Sequence, residues 1–174
     1  MGQRSQIYIA YCTDDMRKYH LVARYFQWNF GSRMVSRTRH LLEWLETQKK
    51  YLKYLRKEIE RIPDINFDFK DIVISQDLIV ESKEYGFNIF SEIDNNDGKL
   101  FILVKPDGEI KYALTDNDIT RVMSPDEYMK WNDYKSEEED GSNCAENCRN
   151  IKKWQLLTIG EINYYFLEAA FDNV

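Results

Sequence analysis

The chain has 174 residues, a one-domain length, and its 43% hydrophobic and 31% charged composition is that of a folded protein, not a disordered one. Twelve Tyr, nine Phe and four Trp supply bulk for a core, while seven Gly and three Pro exclude collagen-like and linker-dominated classes. The net charge of −6 conceals a split: residues 1–61 carry 13 Lys and Arg against 6 Asp and Glu, net +7, and residues 62–174 carry 11 against 24, net −13.

No apolar run approaches the ~20 residues of a membrane span. The start Met1-Gly2-Gln3-Arg4-Ser5-Gln6 has no apolar signal region, and Gln6 stands where N-myristoylation wants Ser or Thr. With three Cys and no secretory signal, a cytoplasmic protein with reduced thiols is expected. Fold class and organisation are expected to be a single α+β domain over 1–174.

In chain order, Gln6–Cys12 is β-branched and aromatic and predicts a strand, and Tyr19–Phe26 a second, the two forming a hairpin. Asn29-Phe30-Gly31-Ser32 ends the strand and offers Ser32 as a helix N-cap. From Arg33 to Arg61 the period is helical, with Met34, Leu41, Leu45, Leu52, Leu55, Ile59 and Ile62 on one stripe through Gln48. Glu43, Glu46, Lys50, Lys53 and Lys57 fall on the opposite face. At 1.5 Å per residue such a helix is ~40 Å long, so it breaks near Thr47-Gln48 or its second half, 48–62, projects.

Residues 64–85 are ambiguous, with Phe67, Phe69, Ile72, Val73 and Ile74 as core candidates. Phe87–Ile93, Leu100–Val104 and Ile110–Leu114 predict a three-stranded meander turned at Asp94–Gly98 and Pro106–Glu109. Ser124-Pro125-Asp126-Glu127 is a helix start, 135–150 an acidic loop, and Thr158–Glu161 a capping box. The box opens a last helix carrying Ile162, Tyr165, Phe166, Ala169 and Ala170. The architecture expected is an antiparallel or mixed sheet packed against the long helix and C-terminal helices.

Motifs for chemistry are mostly missing. Asp94–Gly98 fails as a calcium loop, since Ile93 and Val104 would fall at ligand positions one and twelve. No glycine-rich phosphate loop occurs, and neither His20 nor His40 sits beside a nucleophile motif. Cys144 and Cys148 lack the two further Cys or His nearby that a zinc site wants; a local disulfide on oxidation is the stronger expectation. No catalytic residue, metal or cofactor is therefore assigned.

Two features exceed background. Arg33, Arg37, Lys49, Lys53 and Arg56, with aromatics such as Trp28, Trp44 and Tyr51 interleaved, suit phosphate contacts and base stacking. The same residues also fit a solvated helix face with aromatics in the core. Glu137-Glu138-Glu139-Asp140, in the net-negative part of the chain, would imitate phosphate in a positive channel, or form a plain acidic loop.

The opening Gly2–Ile9, the segment Ala23–Gly31 with Gln27-Trp28-Asn29-Phe30-Gly31, and Met34–Arg37 resemble small uncharacterised proteins of Firmicutes phages and prophages. Those begin with a Gly-x-Arg-Ser strand, and some are similar to anti-CRISPR inhibitors. The resemblance covers about the first forty residues and supplies no catalytic residues. It implies a phage or mobile-element protein that binds and inhibits a host CRISPR effector nuclease, or another defence protein, in the bacterial cytoplasm without catalysis. A nucleic-acid-binding protein acting through the basic helix 33–61, and an unrecognised nuclease or hydrolase, are the alternatives.

Overall fold

The computed structural model describes residues 4–12, 19–27, 29–48, 72–73, 96–132 and 141–168. Strand β1 (Arg4–Cys12) pairs antiparallel with β2 (Tyr19–Gln27), Arg4 opposite Gln27 and Cys12 opposite Tyr19, which is the expected hairpin. Side chains on a strand alternate between faces. Ile7, Ile9 and Tyr11 therefore enter one hydrophobic cluster, and Tyr8 and Ala10 another. A strand buried on both faces belongs in the middle of a sheet. On its second edge β1 runs parallel to β4 (Lys99–Val104), with Gln6 opposite Lys99 and Tyr11 opposite Val104.

Outside β2 lies β3 (Ile72–Val73), and beyond β4 come β5 (Ile110–Thr115) and β6 (Val122–Met123), both antiparallel to their predecessors. Strand β7 (Gln155–Leu156) adds in parallel to β5 at Lys111–Tyr112. The sheet is thus mixed, in the order β3-β2-β1-β4-β5-β6 with β7 beside β5. Two strands of the expected meander are β4 and β5; the third, 87–93, lies outside the described residues, and β6 extends β5 instead. The β4–β5 turn closes through Gly108, whose φ of +90° suits a residue without a Cβ.

Helix α1 (Ser32–Gln48) begins one residue earlier than Ser32 as cap would give. The Gly31 carbonyl already accepts the Val35 N–H at 3.3 Å, so Gly31, at φ +52°, holds the cap position and Ser32 is in the first turn. Met34, Leu41 and Leu45 of the expected stripe are buried, joined by Val35 and Leu42. The continuation 49–61 lies outside the described residues.

Helix α2 (Pro125–Asn132) starts as expected: Ser124 Oγ accepts the Glu127 N–H and Glu127 Oε1 accepts the Ser124 N–H, both at 3.2 Å. The expected loop 135–150 is corrected from residue 141 onward, where α3 (Gly141–Ile151) is helical. Its Gly, Ser and Asn content reads as loop, but Cys144, Cys148 and Ile151 fall at i, i+4 and i+7 and form the stripe that packs it. Residues 133–140 lie outside the described residues.

Helix α4 (Ile159–Ile162) has the reciprocal Thr158–Glu161 capping box and continues as a π-helical turn over Asn163–Glu168. Helices α1, α2 and α3 contribute to the cluster on one sheet face. On the other face Ile162 and Phe166 pack with Tyr8, Phe101 and Leu103, and Phe101 stacks on Tyr8 at 5.1 Å and meets Phe166 edge-on at 5.0 Å. The result is an α+β fold with its sheet between two helical layers.

Candidate functional site

The residues singled out for partner binding are distributed unevenly. Glu137, Glu138, Glu139 and Asp140, together with Trp28, Lys49, Lys53 and Arg56, lie outside the described residues. The acidic run falls in the chain between Asn132, the last residue of α2, and Gly141, the first of α3.

Arg33 and Arg37 are described and do not face water, being 7% and 3% exposed. Over its first two turns α1 has Ser32, Arg33, Met34, Val35, Arg37 and Thr38 buried and Ser36 half-buried, so the flanks of its apolar stripe are interior too. An arginine taken out of water needs partners within the protein. Arg39 is likewise engaged, its Nε 2.8 Å from Glu43 Oε1 and its second nitrogen 2.8 Å from Asn147 Oδ1, which ties α1 to α3. The exposed positions farther along α1 are Glu43, Glu46 and Thr47. The described half of the helix therefore carries no solvated basic stripe.

The structure instead concentrates perturbed ionisable groups where β1 and β4 begin. The Asp97 carboxylate accepts the Arg4 N–H at 2.8 Å through one oxygen and the Asn132 side-chain amide at 2.8 Å through the other. Its backbone carbonyl accepts the Tyr128 hydroxyl at 2.8 Å. Asn132 Oδ1 in turn accepts the Gly31 N–H at 2.6 Å. One buried carboxylate thus joins the start of β1, the entry to β4, the end of α2 and the turn before α1. Burial pushes the Asp97 pKa up, against the hydrogen bonds from Asn132 and Arg4.

Two residues on, Lys99 is 1% exposed and its ammonium donates to the Asn117 backbone carbonyl. Burial draws its pKa down to about 8, while the Asp118 and Asp116 carboxylates oppose the shift. The Asn117 side chain accepts the Gly98 N–H at 2.8 Å. Between β5 and β6, Ile119 stands at φ +57°, a left-handed conformation costly for a β-branched residue. Asp116 holds that turn by accepting both the backbone N–H of Thr120, at 2.7 Å, and its hydroxyl. Sequence reasoning assigned Asp97 and Gly98 to a turn and passed over Lys99. The available signal was a lysine opening Leu100–Val104, a strand with no polar residue on either face.

Each Asp97 oxygen and the Lys99 ammonium meets a structural partner in this corner. On α3, Cys144 and Cys148 are both thiols, in contact one helical turn apart, with Cys148 4% exposed. Contact with Cys144, followed by burial, pushes the Cys148 pKa far up. Among the described residues no group of three His, Cys, Asp or Glu is placed to hold a metal ion, and no helix is long and apolar enough to cross a membrane. Comparison with protein-family models, curated proteins and solved structures gives no match, so function has to be read from the chain's own residues.

Proposed function

We propose that the chain is a phage- or mobile-element-encoded anti-defence protein that binds and inhibits a host CRISPR effector nuclease, without catalysis, in the bacterial cytoplasm. One observation carries the reading: four consecutive carboxylates, Glu137–Asp140, within residues 62–174 of net charge −13. Closely spaced negative charge competes with phosphate for a positive channel and steers association over a Debye length. Asn132, the last described residue before the run, is held by its bonds to Asp97 and Gly31. The interior position of Arg33 and Arg37 weighs against phosphate binding through helix 33–61. The engagement of Asp97 and Lys99 by backbone and amide partners favours a structural use of those groups over general acid or base work.

The test is guide-loaded type II effector cleavage of target DNA, titrated with the protein across a salt series. Stoichiometric loss of cleavage is expected. Changing Glu137, Glu138, Glu139 and Asp140 together to Lys should weaken association more than about tenfold at low salt. Unchanged affinity in that variant would refute phosphate imitation. Sub-micromolar affinity for free duplex DNA at physiological salt would move the function to nucleic-acid binding.

A further inference from the structure

Cys144 and Cys148 are a pair no part of the proposed activity uses. They sit four residues apart on α3, on the stripe that also carries Ile151 and packs into the cluster with α1 and α2. The two side chains are hydrogen-bonded neighbours one helical turn apart, and their exposures differ: Cys144 is half-buried, whereas Cys148 is enclosed. A small reagent therefore reaches Cys144 first, and Cys148 is positioned as the second thiol.

We propose that Cys144 and Cys148 form a reversible modification site, oxidised by a low-molecular-weight disulfide such as glutathione disulfide to an intrahelical disulfide that distorts α3. The Cys144 thiolate attacks one sulfur of glutathione disulfide, and one glutathione leaves as the thiolate. The Cys148 sulfur, giving up its proton, then attacks the Cys144 sulfur and expels the second glutathione. Two cysteine thiols are oxidised, one external disulfide is reduced to two thiols, and the cysteine protons end on the glutathiones.

The distortion follows from helix geometry. Cβ atoms four residues apart on a helix are ~5–6 Å from each other. A disulfide requires ~3.8 Å. Closing that gap cannot be done by side-chain rotation alone, so the backbone between residues 144 and 148 must give. That span contains Glu146 and Asn147, which Arg39 of α1 contacts at 3.7 and 2.8 Å, and the following turn carries fully buried Ile151. Oxidation thus loosens α3 from α1, and the strain makes the bond easy to reduce. Nothing in this depends on the identity of a partner.

The experiment treats the full chain with mixtures of reduced and oxidised glutathione at mildly alkaline pH, alkylates remaining thiols, and maps peptides by mass. The peptide spanning Cys144 and Cys148 should lose two hydrogens and take up no alkyl group. Helical circular dichroism and the melting temperature should fall together and recover on reduction. Cys148→Ala should stop at glutathione retained on Cys144, and Cys144→Ser should leave Cys148 unreacted. Three outcomes overturn the proposal: both thiols alkylated in excess oxidant, glutathione retained on Cys144 in the unmutated chain, or a disulfide that leaves circular dichroism and melting unchanged.

Discussion

Removing the Asn132 side chain tests whether the buried carboxylate corner holds the fold together. In Asn132→Ala the Gly31 N–H loses its acceptor at 2.6 Å and Asp97 Oδ1 loses its donor at 2.8 Å. Each buried group that loses this partner costs ~1–3 kcal/mol, and because the two share one side chain the sum is taken as ~3 kcal/mol. For a chain of this size that lowers the melting temperature by ~6–12 °C. Asn132→Asp sharpens the test. It preserves an acceptor for Gly31 but sets a second carboxylate against Asp97, so at neutral pH it should be no more stable than the alanine variant. Asp97 already has a raised pKa in the folded state. A raised carboxyl pKa contributes stability that is full below the unfolded value and is lost as pH rises through the folded value. The aspartate variant should therefore regain stability relative to Asn132→Ala as the pH falls through the acid range. Urea unfolding followed by circular dichroism and Trp fluorescence at several pH values measures both effects. An Asn132→Ala variant within ~0.5 kcal/mol of the parent would refute the reasoning, since that is the scale of an unimportant surface change.

Gly98→Ala should destabilise by ~2 kcal/mol or more in a thermal scan, because φ is +90° there and a Cβ would lie 2.5 Å from the Thr115 carbonyl oxygen. Lys99→Met probes the lowered amine: a folded pKa of about 8 against the ordinary 10.5 makes this group's contribution fullest above the ordinary value, lost as pH falls through 8. The stability of the parent relative to Lys99→Met should therefore rise by ~3 kcal/mol between neutral pH and the alkaline limit, and a pH-independent difference in denaturant titrations would refute the assignment.

Elements specified by neighbours in sequence were legible. The Gln6–Cys12 and Tyr19–Phe26 hairpin, the paired strands β4 and β5, and the two capping boxes rest on alternation, turn chemistry and i,i+3 reciprocity, all of which act within a few residues. The parallel pairing of β1 with β4 was not legible, because it joins segments about ninety residues apart and leaves no local periodicity beyond two strands apolar on both faces. The burial of Arg33 and Arg37 was not legible for a related reason. A helical wheel ranks them as flanking the apolar stripe, but which flank is interior depends on how deeply α1 is enclosed, a tertiary property. Helix α3 was hidden by Gly141, Ser142 and three asparagines, residues that favour turns when isolated, and it forms because two cysteines and Ile151 supply a buried face. The Asp97–Lys99 corner shows the same limit more sharply. A turn aspartate and a strand-opening lysine are ordinary in sequence, and they become perturbed groups only when Asn132, Tyr128 and Asn117, between 18 and 35 residues away, close over them. Local chemistry therefore located the four longest strands and the caps of α2 and α4, while burial, which decides what charge and thiol chemistry the protein can perform, was settled by contacts far apart in the chain.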